Sequence, residues 1–374
     1  YTSGTTSYSK GVMLPYRSLW SNATFAFEVL PLKAGDKIVS MLPMAHMYGL
    51  AFEFLYEFAV GCHIFFLTRM PSPKIIFQAF EEVKPNLIVA VPLIIEKIIK
   101  KSVLPKLETP AMKILLKVPI INDKIKATVR EEMIKAFGGN FKAVIVGGAA
   151  FNQEVEQFLK MIDFPYTVGY GMTECGPIIC SSRWETLKLA SCGKATSRME
   201  VRIDSPDPKT HAGEIVCRGM NMMLGYYKNP EATKEVFTED GWLRTGDLGT
   251  LDDNNNLYIR GRSKTMILSS SGQNIFPEEI EARLNNMPFV LESLVIERNR
   301  KLVALVYADY EALDSLGLNN PENLKTIMDE NLKNLNNSVA AYEKVSQIQL
   351  YPTEFEKTPK RSIKRYLYNS IAED

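Results

Sequence analysis

Lys142-Ala143-Val144-Ile145-Val146-Gly147-Gly148-Ala149-Ala150 leads through the amphipathic stretch Asn152–Ile162 to Tyr166-Thr167-Val168-Gly169-Tyr170. An apolar run, a glycine turn, a helical period and a second apolar run read as strand, turn, helix, strand. That is the pattern of an α/β layer built on a parallel sheet. Leu87–Val91 adds a further buried strand, and Pro92 suits the first position of the helix that follows it. Ligands of such sheets bind beyond the carboxyl ends of the strands. Gly147–Ala150 and Gly171–Glu174 both fall there, so the spacing predicts one shared site.

Upstream, Met41–Leu67 is the most apolar region. Its window Met47–Leu67 contains Glu53, Glu57 and His63. Two carboxylates at bilayer depth would cost several kcal/mol, about 2.5–3.5 each on insertion scales, so a membrane span is rejected. A buried helix near Tyr48–Val60, ended by Gly61, and a strand at Cys62–Leu67 fit better. Glu53 and Glu57 are one turn apart and are expected on a more polar face. After about Ser181 short strands and turns take over. Gly213–Gly219 reads as a strand, and Gly249–Asp252 with Leu257–Arg260 as a hairpin around Asp253–Asn256. The expected organisation is a large N-terminal α/β domain over 1–261, with parallel-rich sheets, helices and a β-rich subdomain at about 185–261. A mobile C-terminal α+β domain follows over 262–374. It has a helix at Pro277–Asn286, strands near Leu294–Glu297 and Leu302–Ala308, a helix near Pro321–Leu335 and a strand at Val345–Tyr351.

With 44 basic and 43 acidic residues in 374, the net charge is +1, and no global field points to nucleic acid. Five cysteines without C-x-x-C spacing argue against a disulfide framework or a zinc site and fit a reducing cytoplasm. The chain opens inside a motif, with no preceding strand to anchor it, and is expected to be a fragment of a longer protein.

That motif is Tyr1-Thr2-Ser3-Gly4-Thr5-Thr6-Ser7-Tyr8-Ser9-Lys10-Gly11. Glycine lets backbone approach a ligand, successive N–H groups form an anion nest, and Lys10 adds a point charge. A solvated loop is the plain alternative. Three more stretches carry chemistry. Val168-Gly169-Tyr170-Gly171-Met172-Thr173-Glu174 sets an aromatic face and a carboxylate beside a glycine turn. In Thr245-Gly246-Asp247, an aspartate between turn residues can accept from two vicinal hydroxyls. Gly261-Arg262-Ser263-Lys264 leads into Gly272-Gln273-Asn274-Ile275-Phe276-Pro277-Glu278-Glu279-Ile280-Glu281. Each has a bland reading as a strand end, a β-turn or a polar linker.

Together and in this order, the four resemble the adenylate-forming superfamily of acyl-CoA ligases, peptide-synthetase adenylation domains and luciferases. The resemblance spans residues 1 to about 370 and implies roles residue by residue. Thr2, Ser3, Gly4, Thr5, Thr6 and Lys10 would cradle the phosphates of ATP. Gly148, Ala149 and Ala150 would line the adenine, on which Tyr170 stacks, with Gly171 and Met172 beside it. Thr173 would contact phosphate, and Glu174 would bind Mg²⁺. Asp247 would hold the ribose, and Arg262 the ribose or phosphate. Lys264 would mark the hinge, and Ser269–Gly272 the loop offered to CoA. His46, in Met41–Tyr48, would gate the acid pocket. The catalytic set is thus Lys10, Thr173, Glu174 and His46. Two positions depart from the family pattern: Ser7 replaces a usual glycine, and Ser362 stands where a lysine usually reaches the substrate, with Lys360, Arg361 or Lys364 as candidate substitutes. The bland reading of the basic tail is a solvated segment able to touch anionic lipid.

Within the superfamily the motifs look most like bacterial long-chain fatty acid–CoA ligases. The implied reaction converts a fatty acid and ATP, with Mg²⁺, to acyl-AMP, and then forms a thioester with CoA. The implied location is the cytoplasm, with peripheral contact at the inner membrane as a variant. An acyl-AMP ligase that does not use CoA, an amino-acid adenylation domain, and a nucleotide- or acyl-binding protein without turnover are the alternatives.

Overall fold

The computed structural model of the chain describes residues 1–2, 9–69, 71–99, 119–269, 272–357 and 363–368. Two compact units emerge. The larger comprises Gly11–Thr245 and Thr250–Ile259; the smaller comprises Tyr1–Lys10, Gly246–Gly249 and Arg260–Asp374.

The larger unit carries the α/β layer. Ile88–Ala90, Val144–Gly147 and Tyr166–Gly171 run parallel, with Val144 opposite Tyr166 and Gly147 opposite Gly169. Ile178–Ser181 and Lys194–Ala195 extend the sheet antiparallel. Every residue of Ile88–Ala90 and Val144–Gly147 is buried, as expected of parallel strands covered on both faces. The intervening helix, Gln153–Met161, starts where the Asn152 side chain accepts from the N–H groups of Glu154 and Val155. It buries Val155, Phe158 and Leu159, one helical face. A second parallel pair, Lys37–Ser40 with His63–Phe66, joins this layer through a bridge between Ile38 and Leu87.

Helix Tyr16–Val29 had no counterpart in the sequence reading. It buries Ser18, Ser21, Asn22, Phe25 and Ala26, a stripe at i, i+3, i+4, i+7 and i+8 that is polar at one end and apolar at the other.

The expected helix before Gly61 forms in three pieces. Met47–Leu50 is α-helical, Ala51–Leu55 is a π-turn, and Tyr56–Val60 is α-helical again. Gly61, at φ 87°, ends it in the left-handed conformation. The polar face expected for Glu53 and Glu57 is not found, because both residues are fully buried. Glu53 is drawn inward by the donors that end strand Lys37–Ser40: the N–H groups of Met41 and Leu42 and the Ser40 hydroxyl. Among the described residues Glu57 has no hydrogen-bond partner for either oxygen, and it lies beside the apolar layer that holds Phe52 and Tyr56. Burial lifts Glu53 to about 7 and Glu57 to about 8, so Glu57 resides there as the neutral acid.

A four-stranded sheet takes Met199–Asp204, Gly213–Gly219, Leu243–Leu251 and Leu257–Arg262 in that spatial order. Its last turn closes on Asp252, whose carboxylate accepts from the N–H groups of Asn254 and Asn256. In the smaller unit, Val290–Arg298 pairs antiparallel with Lys301–Ala308, which pairs parallel with Val345–Leu350. Helices Pro277–Leu284 and Pro321–Ser338 contribute Ile280, Leu284, Leu324, Met328 and Leu335 to the core of this unit. Among the described residues no helix is long and apolar enough to cross a membrane.

Candidate active site

In the larger unit the structure gathers two of the predicted motifs at one end of the parallel sheet. Gly148, Ala149 and Ala150 are exposed just past Val144–Gly147, and the neighbouring strand Tyr166–Gly171 runs on into Met172, Thr173 and Glu174. Tyr48, from the acyl-side motif, lies under this edge. Its hydroxyl donates to the Ile145 carbonyl at 3.2 Å, and its ring crowds Gly147, where a Cβ would lie 3.1 Å from Cζ. His46 is half-buried at the residue that precedes helix Met47–Leu50.

The turn bearing Glu174 is built tightly. Gly171 lies against the returning strand so closely that a Cβ would fall 2.0 Å from the Pro177 carbonyl oxygen. Thr173–Cys175 makes one 3-10 turn. From behind, the Asn22 side chain donates to the Cys175 carbonyl and accepts from the Ile178 N–H. Asn221 donates to the Ile178 carbonyl, and its own carbonyl accepts from Ser18. Glu174 itself is buried. Its Oε1 accepts from the Tyr226 hydroxyl at 2.7 Å, and its carbonyl accepts from Met223 N–H. Burial and the adjacent carboxylate push the Tyr226 phenol up, so it stays a donor. No hydrogen bond engages Glu174 Oε2 among the described residues. Tyr170 is 7 % exposed and belongs to the main core, so little of its ring is open to a base.

The remaining predicted residues fall in the smaller unit. Thr2 and Lys10 tie the ends of the first motif: Thr2 N–H donates to the Lys10 carbonyl, and Lys10 N–H to the Thr2 hydroxyl. Ser3, Gly4, Thr5, Thr6 and Ser7 lie outside the described residues. Asp247 is buried and ion-paired with Arg262, with Nε 3.0 Å from Oδ1. Ser263 fixes this turn by donating from N–H and hydroxyl to the Gly246 carbonyl. Lys264 is exposed in the next turn, and Gly272 is exposed at φ 78° with its N–H on the Ser269 carbonyl. Ser270 and Ser271 are outside the described residues.

The tail is more structured than a free basic segment. Arg365 pairs with Glu281 and lies 3.6 Å from Glu278; burial lifts Glu281 to about 7. Lys364 pairs with Glu356, and Lys357 with Glu292. Lys364, a candidate for the missing lysine, thus carries a largely exposed ion pair. Ser362, Lys360 and Arg361 lie outside the described residues.

Residues 1–227 match the family described as AMP-binding enzyme, and residues 264–371 match the AMP-binding enzyme C-terminal domain. The chain belongs to the AMP-binding enzyme family. A long-chain-fatty-acid–CoA ligase of Rattus norvegicus (ACSBG2) is 30% identical over 335 residues, covering 82% of this chain and 50% of that protein. The long-chain-fatty-acid–CoA ligase FadD15 of Mycobacterium bovis is 26% identical over 406 residues, covering 98% and 66%. The solved structure of o-succinylbenzoate CoA synthetase from Bacillus subtilis, in complex with its acyl-adenylate intermediate, superposes with a TM-score of 0.78 at 22% identity, covering 100% of this chain and 68% of that one. This AMP-binding enzyme thus has the mixed α/β architecture of adenylate-forming enzymes, and it spans about half the length of the first-named relative.

Glu174 could hold Mg²⁺ as one carboxylate of a shell shared with nucleotide phosphates. Glu174 offers one carboxylate oxygen, and the described residues contain no cluster of three or more His, Cys, Asp or Glu. Mg²⁺ characteristically takes one or two carboxylates plus phosphate oxygens and water. Sequence reasoning missed Tyr226, Asn22 and Asn221, which hold the Glu174 turn. The signal for Asn22 was present as polar residues at helical spacing along Tyr16–Val29.

Proposed function

We propose that this chain activates a long-chain fatty acid as acyl-AMP and transfers the acyl group to CoA, an acid–thiol ligation that releases AMP and pyrophosphate. The observation that carries the reading is Glu174. It is set rigidly at the carboxyl end of a parallel sheet, with one oxygen anchored and the other uncommitted, beside the exposed small residues Gly148–Ala150. The fatty-acid relatives favour the substrate class.

In this reading a carboxylate oxygen of the acid attacks the α-phosphorus of ATP while the bond to the β-phosphate breaks. Lys10 and the N–H groups of its loop bear the charge that builds on departing pyrophosphate. Asp247 and Arg262 fix the ribose, Gly148–Ala150 the base, Thr173 a phosphate oxygen, and His46 the acid. Mg²⁺, when bound through Glu174, neutralises charge on the phosphates. The CoA thiolate then attacks the acyl carbonyl and AMP leaves, with Lys264 as the hinge and Ser269–Gly272 presented to CoA. The enzyme is proposed to act in the cytoplasm.

The test incubates the chain with ATP, Mg²⁺ and palmitate, with and without CoA, and quantifies pyrophosphate and palmitoyl-CoA separately. Palmitoyl-CoA supports the proposal. Pyrophosphate without thioester selects the acyl-AMP ligase reading. ATP binding without either product overturns the enzymatic reading.

A further inference from the structure

We propose that Tyr226 is a positioning residue that keeps one oxygen of Glu174 occupied, and so makes the site select Mg²⁺ over larger divalent cations. The proposal rests on the nucleotide reading above and adds a residue and a selectivity to it.

Tyr226 is well placed to hold rather than merely to touch. It pairs with Val12 in a short antiparallel ladder, and the flanking bonds run from Leu224 N–H to the Met13 carbonyl and from Tyr227 N–H to the Gly11 carbonyl. Its own N–H donates to the Thr233 hydroxyl at 2.8 Å. Three residues earlier in the same segment, Met223 N–H binds the Glu174 carbonyl at 2.8 Å. The strap Met223–Tyr227 therefore grips Glu174 twice, by backbone and by side chain. It also pairs with Gly11–Met13, the residues that leave the Lys10 stretch. Tyr226 as a whole is buried, 5 % exposed.

The chemical consequence follows from ligand number. A phenol on Oε1 occupies one lone pair of that oxygen and holds the carboxylate so that Oε2 is the oxygen better placed to ligate, and one-oxygen ligation suits the compact octahedral shell of Mg²⁺. Ca²⁺ takes six to eight oxygens and accepts both oxygens of a carboxylate readily. Removing the phenol frees Oε1, which relaxes the geometry Mg²⁺ needs and adds a donor that Ca²⁺ can use.

The experiment measures ATP affinity by calorimetry as Mg²⁺ or Ca²⁺ is titrated, in the wild-type chain and in Tyr226→Phe. The expected result is that half-maximal Mg²⁺ support of ATP binding needs about 10-fold more metal in the variant, the size of one hydrogen bond to a charged group. The Ca²⁺ requirement should move less than about 2-fold, since added ligation offsets the lost order. Equal shifts for the two ions, or none, overturn the assignment while leaving the nucleotide reading intact. A wild-type chain whose ATP affinity ignores divalent ions overturns both. A second measurement needs no variant: infrared difference spectra of the wild-type chain, labelled at glutamate carboxyl carbon, with Mg²⁺·ATP. A one-oxygen carboxylate signature supports the proposal, and a two-oxygen signature overturns it.

Discussion

Arg262 holds the carboxylate of Asp247, Nε to Oδ1 at 3.0 Å, so the group proposed for the ribose already has a cation on one oxygen. The Arg262 side chain is 58 % exposed while that of Asp247 is only 11 % exposed. An ion pair with one partner in solvent contributes little to folding, about 0–1 kcal/mol. Arg262→Ala should therefore leave the melting temperature nearly unchanged while weakening ATP binding about 10-fold, an interaction loss near 1.4 kcal/mol. Paired melting and titration experiments check this. A large fall in melting temperature with ATP affinity intact would reverse the assignment.

Glu57 predicts the sign of a pH dependence. Its folded value, about 8, lies above the ordinary 4.5 because burial penalises the charged form. Between these values the native state binds more protons than the unfolded state, so stability falls as pH rises from about 5 to 8. Glu53, lifted to about 7, acts in the same direction. Each pH unit inside the window is worth at most about 1.4 kcal/mol per group. Glu57→Gln should flatten the slope and melt higher than wild type at pH 8, with the two converging near pH 5. Urea midpoints at four pH values decide it, and parallel curves for both proteins would count against a buried acid at this position.

Gly171 has no space for a methyl group, because the obstacle is the Pro177 carbonyl, a backbone atom that cannot rotate away. Gly171→Ala should cost about 3 kcal/mol, at the upper end for overpacking. It should also displace Thr173 and Glu174, lowering ATP affinity in whatever fraction remains folded. Circular dichroism melts with ATP titration test both halves. A variant as stable as wild type refutes the close approach.

Asn22 satisfies two buried backbone groups at once, the Cys175 carbonyl and the Ile178 N–H. Asn22→Leu keeps the size of the side chain and strands both groups, which at about 1–3 kcal/mol each should destabilise by about 3 kcal/mol. Chemical denaturation measures it. A loss under about 0.5 kcal/mol, the range of ordinary surface changes, would mean the turn finds other partners.

Much of the architecture was legible from periodicity. Gly213–Gly219 forms as written, and Leu87–Val91, Tyr166–Tyr170 and Pro277–Asn286 form within a residue or two at each end, because apolar runs bounded by glycine, proline or a capping residue leave few alternatives. The motif residues were legible as types, but their partners were not. Nothing near Glu174 in the chain announces Tyr226, 52 residues downstream, since a cross-sheet hydrogen bond leaves no local pattern. Helix Tyr16–Val29 was missed because its buried stripe opens with Ser18, Ser21 and Asn22, residues that a hydrophobicity reading assigns to solvent. Glu53 and Glu57 were misread for the converse reason: an acid is taken as exposed unless strand-end donors or an uncharged state supply a reason to bury it.

The π-turn at Ala51–Leu55 has a consequence for how such proteins can change. It is a helix with one residue more than its hydrogen bonding needs. Shortening the gene by a single codon there would restore a regular α-helix, and because the wide turn already absorbs the extra residue, the faces that carry His46 and Tyr48 before it and Tyr56 after it would stay in register. A change of one residue in length is thus absorbed at this turn, with no side chain on either side of it re-aimed. Related genes that are one codon shorter in this stretch are expected to have an unbroken α-helix here with the same faces buried.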